Sequence, residues 1–108
     1  MTLDRARVDA DFAAAVNMTA DEIEAWLETP QSRAVGQKRD GGESVGHASG
    51  RRIAAILGTP KSERSPDDYA HMRKTVGFIR RHRAQEPVNM VTSRWRYSLM
   101  NWGHDPLK

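Results

Sequence analysis

The sequence predicts an all-α fold: a compact bundle of about five short helices in a single domain, residues 1–108, with a long Gly-rich loop between the second and third main helices. Three observations predict it. Apolar residues recur at intervals of three and four along most of the chain. Ser, Thr, Pro and acidic residues stand where those stretches begin, and Gly or Pro where they stop. A length of 108 residues fits one domain.

The first helix runs from Asp4 to Val16. Val8, Phe12, Ala15 and Val16 share one face. Asn17, a residue that tolerates the left-handed conformation, ends it. The second helix starts at Thr19. Thr19 and Glu22 form a capping box, and Met18 and Ile23 are spaced for a hydrophobic staple. Asp21, Glu22 and Glu24 suit the positive end of the helix dipole. Ile23, Trp26 and Leu27 make the core stripe, with Trp26 as an anchor. Thr29-Pro30 stops that helix or caps a short new one, with Pro30 in its first position and one or two turns over Gln31 to Val35.

From Gly36 to Ala48 the sequence has neither a helical nor a strand period. A structureless stretch of this length in a small domain is uncommon, and is usually functional or disordered. The third main helix then spans Gly50 to Leu57, with Ser49 as N-cap and Ile53, Ile56 and Leu57 at helical spacing. Gly58 and Pro60 stop it. Lys61 to Arg64 is a polar linker. The fourth main helix opens on Ser65, Pro66, Asp67 and Asp68, and its stripe is Tyr69, Met72, Val76 and Ile79. Arg80, Arg81, His82 and Arg83 lie near its C-terminal end, where the dipole favours cations, and Pro87 closes it. Gly77 within it costs about 1 kcal/mol against Ala, and close approach of another helix is the usual compensation. The last helix opens at Thr92 or Ser93 and runs to Asn101 or Trp102. Trp95, Leu99 and Trp102 share a face, and Gly103 terminates it.

Composition removes several function classes. The chain has no Cys, which excludes disulfides, thiolate chemistry and Cys-based zinc sites. No apolar run approaches the ~20 residues needed to span a bilayer, so no membrane partner is expected. Met1 to Arg7 is polar and charged, unlike a signal peptide, and a cytoplasmic location is the expectation. Gly42-Glu43-Ser44-Val45-Gly46 matches the Gly-x-Ser-x-Gly nucleophile elbow with His47 beside it. That device needs a strand before it and a sheet beneath it, and Lys38 to Gly41 is no strand. His47, His71, His82 and His104 show no paired ligand spacing. The carboxylates of the first two helices serve dipoles or solvated faces rather than acid–base chemistry. No enzyme activity, metal or other cofactor is expected.

Charge distribution is more informative than the net +3. Residues 1–50 hold five Lys/Arg against nine Asp/Glu, and residues 51–108 hold twelve against five. Thirteen of the seventeen cations are Arg, the better side chain for bidentate phosphate recognition. Either the basic half meets an anionic partner or the acidic helices face the basic ones. The candidate site is the stretch Ser49-Gly50-Arg51-Arg52. A helix N-terminus carries unpaired N–H groups and partial positive charge, so two arginines there oppose the dipole unless an anion docks. The plainer reading has both arginines in solvent or paired with acids. With Lys38, Arg39, Arg80, Arg81, Arg83, Arg94 and Arg96, convergent helix ends would form a phosphate-tracking surface. Few of these residues suit base-edge readout, so backbone or shape recognition is expected.

Val16-Asn17-Met18-Thr19, Glu22, Trp26-Leu27, Gly50-Arg51-Arg52 and the block from Arg94 through Trp102 to Leu107 together resemble an uncharacterised, mainly bacterial family of small proteins. Its members are often labelled DNA-binding proteins or domains of unknown function. The resemblance covers nearly the whole chain and is most specific in the C-terminal block. It implies DNA binding and carries over no catalytic residue. Thr19 to Leu57 is also loosely similar to helix–extended-loop–helix DNA-binding modules. Two functions therefore compete. One is a nucleic-acid-binding domain, with DNA first, that contacts phosphates through the Gly-rich loop and an Arg-bearing helix N-terminus. The other is a non-catalytic protein-interaction or structural module whose C-terminal Trp-rich helix is the surface for a protein partner. Burial of Trp95 and Trp102 would make them core instead.

Overall fold

Every described helix begins on a side chain that caps it. Asp4, Thr19, Thr29, Ser44, Ser65 and Ser93 each accept a hydrogen bond from the backbone N–H three residues on. The computed structural model describes residues 4–35 and 44–108. Within them lie α1 (Arg5–Ala15), α2 (Ala20–Leu27), α3 (Pro30–Ala34), α4 (Val45–Leu57), α5 (Pro66–Arg83) and α6 (Arg94–Asn101). A 3-10 turn, Lys61–Glu63, fills the linker before α5. The described fold is all-α, as the periodicity predicts. The expected Gly-rich loop falls largely on residues 36–43, outside the described residues, as do Lys38 and Arg39.

Two reciprocal capping boxes fix helix starts: Thr19 with Glu22, and Ser65 with Asp68. The staple pair Met18 and Ile23 is buried beneath the first of them. Pro30 and Pro66 occupy first-turn positions, where the missing N–H costs nothing. The radius of gyration, 13.6 Å, is close to the roughly 13 Å expected of a folded chain of this length.

Helix α1 packs on α5 and α2 on α4, while α6 touches α2, α3, α4 and α5. One core joins them, with Phe12, Ile23, Ile53, Ile56, Met72 and Leu99 at its centre. All four stripe residues of α5 are buried in it, together with Trp95 and Trp102. Trp26 is half-buried at its edge and donates from Nε1 to Asn101 Oδ1 at 2.7 Å.

Three local expectations are corrected. Helix α4 starts five residues early, at Val45, with Ser44 rather than Ser49 as its cap. Gly46, read as a loop residue, and Gly50, read as the first residue of the helix, both lie inside it. Gly46 and Gly50, one turn apart, face Trp102 and Asn101. A Cβ on Gly50 would lie 2.4 Å from the Asn101 carbonyl oxygen and 2.9 Å from Leu27 Cδ2. Glycine there sacrifices helix propensity to let α4 meet the end of α6. Gly77, by contrast, sits at no helix crossing: its nearest neighbour is the Arg81 guanidinium on its own helix, 3.0 Å from a built Cβ. Finally, α1 ends because Val16 turns extended, at φ −86° and ψ 102°. Asn17 acts through its side chain, which exchanges hydrogen bonds with the Asp105 backbone at 2.7 and 2.9 Å.

The C-terminal block accounts for much of the assembly. Asn101 is buried, takes Trp26 Nε1 and Ser32 Oγ on Oδ1, and donates to the Ser32 carbonyl. Gly103 has φ +83°, a conformation glycine adopts without strain, and its carbonyl accepts from Met18 N at 3.2 Å. His104 Nδ1 lies 2.6 Å from the Ala15 carbonyl. The block therefore ties α6 to the ends of α1, α2 and α3.

Among the described residues, the ion pair between Arg64 and Asp9 is well buried. Arg64 Nη1 donates to Asp9 Oδ1 at 2.9 Å, and Tyr69 donates its hydroxyl to Asp9 Oδ2 at 3.0 Å. Arg64 also donates to the Ile56 carbonyl and lies over the Phe12 ring. Burial and the Asp9 carboxylate both hold the Tyr69 phenol above its usual pKa.

Candidate nucleic-acid interface

Because α4 begins at Val45, Ser49 to Arg52 occupy its middle turns and not its mouth. The predicted cluster of arginines at a helix N-terminus is therefore absent. Consecutive residues on a helix point about 100° apart, and Arg51 and Arg52 accordingly line different recesses. Arg51 borders one of about 390 Å³ that also holds Glu24, Glu28, Arg33 and His47. Arg52 borders an open cleft of about 510 Å³ between α4 and α5.

That cleft is the strongest candidate site among the described residues. Ser44, Val45, Ala48, Ser49 and Arg52 of the α4 side face His71 and Lys74 of α5, with Trp102 at the base. The buried Ser49 hydroxyl lies 2.9 Å from His71 Nε2, and the His71 ring stacks on Trp102 with centroids 6.0 Å apart. Arg52 Nη2 reaches Asp68 Oδ1 at 3.5 Å, a partly exposed contact of small energetic weight. Asp68 is itself fixed by the Ser65 capping box, so it orients the guanidinium without enclosing it. Burial, with Arg52 and Lys74 nearby, holds the His71 imidazole below its usual pKa.

The other predicted cations go elsewhere. Arg80 turns to α1, 3.6 Å from Asp11. Arg81 is exposed beside Gly77. Arg83 Nη1 lies 3.3 Å from His104 Nε2, and Arg94 donates to the Ala34 carbonyl at the end of α3. Arg96 pairs with Asp105 through Nε and Nη2, both at 3.2 Å, and donates to the Val91 carbonyl. The acidic and basic halves thus meet partly inside the molecule, and Arg80, Arg83, Arg94 and Arg96 each engage another segment of the fold. Gly50 serves packing, and Ser49 serves the cleft through His71. His71 and Lys74 were missed by a reading that weighed α5 for its core stripe and its terminal arginines. Their signal was spacing: three residues apart, they share a face beside that stripe.

Trp95 and Trp102 are core residues, so the Trp-rich helix does not offer them to a partner. They belong to a column of rings running His71, Trp102, Phe78, His82 and Trp95, with the Phe78–Trp102 centroids 4.3 Å apart. Among the described residues no helix is long and apolar enough to cross a membrane.

Three histidines make acid sensitivity an expected property. Burial lowers the pKa of His71, His82 and His104, and Nε2 of His82 has no hydrogen-bond partner. Where folded pKa values lie below the unfolded value, the unfolded chain binds more protons. The stabilisation is then complete above pH ~6.5 and is lost as pH falls through the folded values. Asp105 and Glu22 are lowered too, but their contribution persists until the carboxylate range. The urea midpoint should therefore drop between pH 7.5 and 5.0; a flat profile would contradict the burial of these rings.

A family model described as Protein of unknown function (DUF3140) matches residues 11–100, and the chain belongs to that family. No curated protein and no solved structure matches it.

Proposed function

We propose that this DUF3140 chain binds nucleic acid, DNA in the first instance, by seating backbone phosphate in the α4–α5 cleft. The observation that supports this is the pairing of Arg52 and Lys74 from two helices across one open cleft. Opposed cations on rigid elements can contact a phosphate chain without reordering the fold. The excess of cations over residues 51–108 supplies a long-range field that favours approach of a polyanion. Recognition is through phosphate and shape, since none of the described residues lining the cleft is Asn or Gln.

The test is fluorescence anisotropy with a labelled DNA duplex across a salt series. Affinity should fall steeply with salt. The Arg52→Ala/Lys74→Ala double variant should bind about tenfold more weakly, with its salt slope reduced by about two. Arg51→Ala, at a recess shared with Glu24 and Glu28, should change affinity little. Absence of binding at low salt, or a double variant that binds as well as the parent, overturns the reading.

A further inference from the structure

The geometry points to a discrete oxyanion site at Ser49, Arg52, His71 and Lys74 in which binding of a tetrahedral oxyanion is coupled to proton uptake by His71. It rests on the nucleic-acid reading only for the source of the phosphate. The four side chains come from two helices and line one cleft. Arg52 offers a planar pair of donors and Lys74 a point charge. His71 has a fixed place between them. Its Nε2 meets the Ser49 hydroxyl, its ring lies on Trp102, and its backbone carbonyl accepts from Thr75 Oγ1 at 2.8 Å.

Among the described residues, charged groups of α4 and α5 act on His71. Arg52 of α4 and Lys74 of α5 disfavour the imidazolium, and Asp68 of α5 favours it. Trp102, below the ring, carries no charge. Partial burial, together with Arg52 and Lys74, holds the His71 imidazole below its usual pKa. A tetrahedral oxyanion between Arg52 and Lys74, singly charged as a backbone phosphodiester or doubly charged as sulfate, opposes that balance, because negative charge then stands beside the ring. The proton comes from solvent, and both ring nitrogens of the imidazolium are then donors. By linkage, the anion binds more tightly as pH falls, and it raises the pH at which His71 titrates.

Sulfate is the probe, because its charge stays constant over the range in which histidine titrates. His71 should be followed by NMR in the unmodified protein from pH 5 to 8, with sulfate and with chloride at equal ionic strength. Saturating sulfate should raise the His71 midpoint by about one unit, equivalent to about tenfold tighter binding to the protonated form. Arg52→Ala and Lys74→Ala should each weaken sulfate at every pH. His71→Gln should bind sulfate with no pH dependence. A His71 midpoint unmoved by sulfate overturns the proposal, as does pH dependence that survives in His71→Gln. Labelled duplex separates the sources of phosphate. Displacement by sulfate beyond the chloride control assigns the site to backbone phosphate, whereas no displacement assigns it to a free anion. If His71 responds to sulfate but duplex never binds, the oxyanion site stands and the nucleic-acid reading falls.

Discussion

Gly50→Ala will lower the melting temperature by about 10 °C or more, roughly 2 kcal/mol in a domain of this size. The added methyl would lie 2.4 Å from a backbone oxygen of Asn101, and backbone cannot step aside as a side chain can. Overpacking of this kind costs about 1–3 kcal/mol and occasionally more, against about 1 kcal/mol recovered from helix propensity. Relief would require α6 to move from α4, which would disturb the hydrogen bond that Asn101 accepts from Trp26 and the one it donates to Ser32. Gly77→Ala is the matched control. There the neighbour is the mobile tip of Arg81, so the propensity gain should prevail and stability should rise by up to about 1 kcal/mol. Thermal melts by circular dichroism decide both. If the two variants shift in the same direction, the assignment of Gly50 to a helix crossing is wrong.

Arg64→Ala should be at least as damaging, with a loss of about 3–5 kcal/mol, because it leaves the Asp9 carboxylate without its buried cation. The pair is well shielded, with side-chain exposures of 8% and 12%, so solvent screening does not reduce the effect as it does for the surface bridges. The Tyr69 hydroxyl would still donate to Asp9 but cannot neutralise it. A double-mutant cycle with Asp9→Ala, read by urea unfolding, should return a favourable coupling. Additive losses would show that Arg64 acts mainly by packing on Phe12 and capping the Ile56 carbonyl.

These two residues also show where the sequence was legible. Local chemistry was readable: the capping box at Thr19, the Ser65 cap, the Pro30 start and the Tyr69-Met72-Val76-Ile79 stripe depend on neighbours within a few positions, and all appear. Gly46 and Gly50 were misread because their role depends on partners some fifty residues away in Asn101 and Trp102. A glycine that admits a neighbouring helix and one that breaks a helix look alike in one dimension. The same limit governed the site. Arg51 and Arg52 are adjacent in sequence and separate in space, while Arg52 and Lys74 are distant in sequence and line one cleft. Arg64, read as linker, became a buried cation only because Asp9 arrives from α1.

The staple formed by residues 101–105 bears on the order of events during synthesis. The Ala15 carbonyl and the Asn17 side chain find their partners 88 or 89 positions later in the chain. On a ribosome, the earliest helices emerge long before the residues that hold their ends together. Helices α1 to α3 must therefore wait until residues 101–105 have been made, and the domain should become protease-resistant in a single step once those residues have emerged.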